Sequence, residues 1–542
     1  MLQMRPERFS LLALFLTLIT QSNLNSTEPT GAPLTEPHEL QDIHTTWKNL
    51  ANEAVVYPLD MRDFPVRLGT PRQLFLDNYL IARSDRVARE VHRPRRFEGN
   101  PIVRPTPHDP SIQKKENRVV GKFVLRFEES PRFRMWYWSY PSWHPWRDDH
   151  LIRFGTGYAV SDDGKTWRKP NLDLFHFEGS NLRNIVLPYG LLHGLFYESQ
   201  ESDPEKRFKA LVNIETRRHG QRGQPAIPGG YYLHTSPDGI HWRGDLTHPV
   251  VPTSDEHGYV FPLRAIGDTT RFWWDPLRHK YIGDVKFVLP GTLRCRGIME
   301  SDDLIHWSRP PPTFMGRRGD DQIYGHRGFV YQGVYVGMRW VFVPERSKHH
   351  SSYVELDCSR DGRTWTRVGA GQPFMGFNEK RDTWDAGKIR PMAMFEENGE
   401  VWIYYYGKPT DAEMENPDFP EARTMGNCMG LATLPRDRFV SINGADPPGV
   451  LLTRPLNFKG ATLHVNAEVA QGGSLSVAML DRDGNPIENR THDTCEPLSG
   501  NQLDARVTWK GGPSLKRLEN SAARVQFRLR AAKLYSFWFS EH

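Results

Sequence analysis

The chain has 542 residues, 38% of them hydrophobic and 25% charged, so it can bury a core and is not a disordered polymer. Its length suits two to four ordinary domains. Seventy Lys and Arg against 65 Asp and Glu give a net charge of +5 with the signs interleaved, which sets nucleic-acid binding aside, and no long apolar stretch after the N-terminus offers a membrane domain.

Arg5 and Arg8 precede an apolar run at residues 11–20 (LLALFLTLIT), and a polar stretch comes next. Residues 1–26 therefore read as a signal peptide, with a membrane-anchored N-terminus as the alternative. The expected location is secreted or periplasmic, free of the membrane once the signal is removed. Residues 27–68 read as a linker, with one short helix within 36–54.

A repeat dominates residues 127–439. Residues 161–167 (SDDGKTW), 236–242 (SPDGIHW), 301–307 (SDDLIHW) and 359–365 (SRDGRTW) share one pattern, and 434–439 (LPRDRF) is a degenerate fifth copy. The closing rings, Trp167, Trp242, Trp307, Trp365 and Phe439, recur roughly every 68 residues. Asp-Gly supplies the left-handed turn of a hairpin, Ser and Asp bond turn amides, and the Trp opens the next strand. A second turn precedes each copy, at 127–133, 201–208, 274–281 and 395–402. Each repeat thus reads as four antiparallel strands. The expected fold is all-β: a five-bladed β-propeller over 69–440, then a C-terminal β-sandwich over 441–542, where apolar and polar residues alternate. Asp163, Asp238, Asp303 and Asp361 are expected to be structural turn residues. Cys295, Cys358, Cys428 and Cys495 lack metal-ligand spacing and read as buried free thiols.

The Ser-x-Asp-Leu-x-x-Trp turn at 301–307 resembles the blade turns of the five-bladed glycosidase propellers, glycoside hydrolase families 32, 43, 68 and 130. The order of propeller and sandwich is similar to family 32. Residues 74–82 (LFLDNYLIA) and the Asn100-Pro101 link resemble secreted planctomycete-type proteins related to those hydrolases. The family 32 motifs Trp-x-Asn-Asp-Pro-Asn-Gly, Arg-Asp-Pro and Glu-Cys have no counterpart here, so the resemblance implies fold more than activity.

First strands line a propeller's channel, so catalytic groups belong at their starts. Asp268, Asp321 (beside Asp320) and Asp385 stand at three such starts and are the candidate catalytic carboxylates. Glycoside hydrolysis uses one acid to protonate the leaving oxygen and one carboxylate to attack or activate water. Glu116 is a further acid at the first blade, and His193 takes that place in the second. Lys286, His326, Trp384 and Arg390 are candidate substrate-binding residues, with Arg264 nearby. Trp143 and Trp146 would wall the site, since aromatic faces stack on sugars. His349 and His350 are adjacent on the chain and make poor co-ligands, so no metal is assigned, and no cofactor either.

The expected function is a secreted glycoside hydrolase acting on oligo- or polysaccharides. The alternative is a non-catalytic propeller binding carbohydrate or protein, and a third reading is a glycoside phosphorylase.

Overall fold

A computed structural model describes residues 64–106, 116–141, 155–175, 182–214, 227–252, 269–288, 294–308, 312–314, 322–342, 351–378, 380, 382–409 and 427–541. The described chain is all-β, and only short 3-10 turns interrupt the strands. No helix among the described residues is long and apolar enough to cross a membrane.

The repeated turns build the strands from local chemistry. In the first copy Ser161 Oγ accepts from Gly164 N at 2.8 Å and donates to Asp163 Oδ1. That same Oδ1 accepts from Lys165 N and Thr166 N at 2.8 and 2.7 Å, and Trp167 Nε1 donates to Gly164 O. The Ser and Asp bonds recur at 236–242, 301–307 and 359–365. These aspartates therefore serve the turns. Gly164 has φ +70°, and a Cβ there would meet Tyr404 Oη at 2.6 Å, so the glycine meets both the turn and its neighbour. The third copy places Leu304 at φ +67° instead.

Five antiparallel meanders follow in chain order. The first is Glu116–Arg126, Phe133–Pro141, Gly155–Ser161 and Ile185–Leu187. The second is Leu191–Tyr197, Phe208–Ile214 and Gly230–Ser236, edged by Arg243–Gly244 and Val251–Pro252. The third is Arg271–Asp275, Lys280–Val288, Arg294–Ser301 and Pro312–Phe314. The fourth is Gln322–Tyr331, Val334–Phe342 and Ser352–Ser359, edged by Thr366–Arg367 and Pro373–Met375. The fifth is Lys388–Glu397, Glu400–Lys408 and Cys428–Pro435, and its outer strand is Arg95–Arg96 from the chain's beginning.

Each meander bonds the next. Trp136 Nε1 donates to Gly239 O at 2.7 Å, His193 Nδ1 to Thr270 O at 2.7 Å, and Thr269 Oγ1 to Tyr324 O at 2.7 Å. Ser352 pairs with Lys388. Tyr404 Oη then donates to Gly164 O at 2.8 Å, which joins the fifth meander to the first.

Residues 66–91 do not open the first meander, although the repeat pattern assigns residues from 69 onward to it. Gln73–Leu74, Ile81–Asp85 and Val87–Val91 pair with strands of residues 440–540. The long Arg524–Ser540 strand is the spine of that sheet, pairing with Thr462–Leu480 from Thr462↔Ser540 to Leu480↔Arg524. The physical reason is alternation: Phe75 packs on Phe527 and Phe537, while Leu74 and Leu76 face the core of the meanders. The segment is thus a seam between two cores. Asp437, fully buried in the degenerate fifth turn, fastens the same seam by accepting from Arg72, Tyr331 and Ser536.

Cys358, Cys428 and Cys495 are buried free thiols; the Cys295 side chain lies outside the described residues.

Candidate functional site

The starts of the third, fourth and fifth first strands bring aromatic rings and cations together. Tyr324 has Arg390 Cζ at 4.6 Å, Lys286 Nζ at 5.0 Å and Arg294 Cζ at 5.8 Å from its ring centre. Trp340, on the neighbouring strand, has Arg327 at 4.7 Å and Arg390 at 5.2 Å. Gly325 pairs with Trp340, and a Cβ there would lie 2.1 Å from the indole. The missing side chain lets the ring lie across the first strand.

A buried ionic chain runs beside this floor. Arg296 Nε donates to Asp284 Oδ1 at 2.6 Å, and Arg296 also bonds Thr269 and the Asp284 carbonyl. His326 Nδ1 lies 2.8 Å from Asp284 Oδ2, and its Nε2 lies 3.5 Å from Asp357, which accepts from Arg339 Nε. Burial pushes the Asp284 carboxyl up, but Arg296 and His326 outweigh it and hold it below the usual range. The chain joins the third meander to the fourth.

The guanidiniums of Arg271 and Arg327 stand close to this ionic chain. Arg271 donates to Gly328 O at 3.4 Å and lies 5.1 Å from the Phe329 ring. Arg327, fully buried, donates to His326 O. Burial brings Arg271 down to about 10 against the pull of Asp284. Burial, then the charges of Arg271, Arg296 and Arg390, push Arg327 well below the usual arginine range, with Asp284 alone opposing. Meanwhile Asp357, Glu355 and Asp385 are engaged by Arg339, Arg367 and Arg96.

Of the residues expected from sequence, Asp268, Asp321, Trp143 and Trp146 lie outside the described residues. Lys286 and Arg390 do converge, on Tyr324. His326 is buried as a link between two carboxylates. Trp384 is buried against Tyr405, with Gly407 and Gly430 beneath its ring, so it packs the sheet. Asp385 is buried and bonded through both oxygens. Its Oδ2 takes Arg96 Nε at 2.7 Å and Tyr405 Oη at 2.9 Å; its Oδ1 takes Asn378 Nδ2 at 2.9 Å, and Thr383 Oγ1, at 3.2 Å, shares its hydrogen with the closer Lys380 carbonyl. That is the geometry of an anchor rather than of a group open to a reacting atom.

Sequence reasoning missed Tyr324, Asp284, Arg271, Arg294, Arg296 and Arg327. Lys286 and Arg390 are charges inside apolar β-runs, and the same signal is present at Arg271 before FWW and at Arg327 in YGHRGFVY. Glu355 is buried and bonded by Arg367 and Tyr353, and burial lifts its carboxyl above the usual range against them.

No protein-family model matches the chain, and no curated protein matches it. Among solved structures it is similar to an N-acetylgalactosamine deacetylase from F. plautii in complex with blood group B trisaccharide, at 17% identity and TM-score 0.44, over 64% of this chain and 96% of that one. It is also similar to a family 32 β-fructofuranosidase of Bombyx mori, at 11% identity and TM-score 0.41, over 81% and 94%. A third is the β-1,2-mannobiose phosphorylase of Listeria innocua bound to β-1,2-mannobiose, at 11% identity and TM-score 0.41, over 64% and 97%.

Proposed function

We propose that the chain is an exported glycoside hydrolase: a five-bladed β-propeller closed by a β-sandwich, working at the mouth formed by its first-strand starts. Five meanders bonded in sequence, with the fifth bonded to the first, support the propeller. The observation that carries the function is the convergence of Lys286 and Arg390 on the Tyr324 ring at the start of the fourth meander's first strand. Aromatic faces suit the apolar side of a sugar ring, and the cations suit its polar substituents. Asp268 and Asp321 stand next in sequence to Thr269 and Gln322, at the starts of the third and fourth first strands, and are the proposed acid and base or nucleophile. Asp385, held by Arg96 and Tyr405, takes a positioning role instead.

The test is a glycan-library hydrolysis screen of the wild type beside Asp268→Asn, Asp321→Asn and Asp385→Asn, each checked for folding. The hydrolase reading expects turnover in the wild type and its loss in the first two with folding intact. A wild type that binds glycans and cleaves none sinks it. That outcome is the second reading, a carbohydrate-binding propeller, which the Asp385 carboxylate, bonded through both oxygens, favours.

A further inference from the structure

Arg271, Arg327 and Arg390 come from the first strands of three successive meanders, and none has a carboxylate partner among the described residues. Their described contacts are carbonyl oxygens and aromatic rings. Each leaves its Nε buried with no hydrogen bond, as does the Trp340 indole between two of them. Like charges in a low-dielectric interior repel, and a buried charge without a counter-ion is costly. Asp284 cannot balance all three, because Arg296 and His326 already hold its two oxygens. The cation–π contacts offset only part of that cost. The arrangement therefore lacks one partner: an anion with several acceptor oxygens, delivered to planar guanidinium forks.

We propose that Arg271, Arg327 and Arg390 form a subsite for a carboxylate or sulfate group carried on a sugar, so that the ligand is an acidic glycan. The inference rests on the carbohydrate reading of the site and narrows it. Tyr324, with Arg390 and Lys286 against its ring, would give the sugar ring an apolar neighbour, which a free anion would not need. A bound anion would offset the burial and mutual repulsion that hold Arg327 low.

The experiment titrates the full chain with D-galacturonate, galactose 6-sulfate, galactose and inorganic phosphate at fixed ionic strength, following heat and melting temperature. One or both sugar anions should bind and galactose should not; which anion binds separates carboxylate from sulfate. Arg327→Gln and Arg390→Gln should each weaken that binding about 10- to 100-fold, the range for one charged hydrogen bond. The free variants should melt no lower than the wild type, since each removes repulsion; Arg390 is only partly buried and guards against a misfolded Arg327 variant. Arg390→Lys keeps the charge and loses the fork, and should also bind more weakly.

Equal binding of galactose and the sugar anions overturns the proposal, as does unchanged binding in Arg390→Gln. Binding of phosphate in preference to both sugar anions overturns it too. Hydrolysis of neutral glycans unaffected by Arg390→Gln removes the acidic ligand and leaves the hydrolase. Binding of a sugar anion with no hydrolysis of any glycan removes the hydrolase and leaves the subsite.

Discussion

Arg96 donates its Nε to Asp385 Oδ2 at 2.7 Å across 289 residues of sequence. Arg96 belongs to the two-residue strand that edges the fifth meander, and Asp385 lies just before that meander's first strand. The pair ties a segment near the start of the described chain to the fifth meander. Arg96 is 32% exposed and Asp385 is 1% exposed, so the two substitutions differ. Arg96→Ala strands a buried carboxylate and should cost about 3 kcal/mol in urea unfolding. Asp385→Asn strands a guanidinium that reaches water and should cost about 1–2 kcal/mol. The double variant should be no worse than Arg96→Ala alone; additive losses would mean that the pair is not coupled.

Leu304 sets two effects against each other. Its φ of +67° costs about 1–2 kcal/mol for a side chain that the other copies avoid with Gly164, Gly239 and Gly362. Yet Leu304 is buried in a cluster with Phe272 and Trp307 alongside, and truncating such a leucine costs about 2–5 kcal/mol. Burial should win. Leu304→Gly is expected to lower stability by about 1–3 kcal/mol, and a raised urea midpoint would show that strain dominates instead.

The repeat was legible because its chemistry is local. Ser161, Asp163, Gly164 and Trp167 bond one another within seven residues, so their spacing survives in the sequence. The pairing of Val87–Val91 with Val440–Gly444 was not legible, because two ordinary strands some 350 residues apart carry no local mark of each other. The run at 74–82 holds apolar residues to bury but carries no mark of their partner. In the site, Lys286 and Arg390 stood out as charges in apolar runs. Asp385 was selected for its place at a strand start, which an anchor and a catalyst share; its bonds to Arg96, Tyr405 and Asn378 favour the anchor.

Acid should weaken the fold in two steps. His234 is buried and neutral: its Nδ1 donates to Tyr232 O and its Nε2 accepts from Tyr189 Oη. Burial lowers it from 6.5 to about 4. The unfolded chain thus takes a proton first, so this contribution is whole above pH 6.5 and is lost as pH falls toward 4, on the order of 3 kcal/mol. His92 and His492 are lowered by burial and act in the same direction. Glu300 bonds Arg363 and Arg278, and the Arg363 hydrogen bond leads in lowering it from 4.5 to about 2. Its contribution is whole above pH 4.5 and fades toward pH 2. Urea midpoints measured from pH 7 to 3 should fall throughout, His234→Gln should flatten the upper part and Glu300→Gln the lower. A flat wild-type profile between pH 6.5 and 4 would contradict the buried neutral histidine.

Gly325 and Gly472 separate packing at the proposed subsite from backbone strain in general. A Cβ on Gly325 would meet the Trp340 ring at 2.1, 2.5 and 2.8 Å, and that ring is itself buried, so it cannot swing into open space. Gly325→Ala should cost about 1–3 kcal/mol by overpacking. It should also displace the indole that Arg327 and Arg390 lie against, and so weaken the proposed binding of galacturonate or a sulfated sugar. Gly472 has φ +77° and open space around its Cβ position, so Gly472→Ala bears only the conformational cost, about 1 kcal/mol. It sits in the long Thr462–Leu480 strand of the other sheet, remote in topology from Trp340. Both variants should therefore unfold at lower urea, while only Gly325→Ala loses ligand. Equal loss of binding in both would mean that affinity follows global stability, and the placement of Trp340 between the arginines would then carry no specificity.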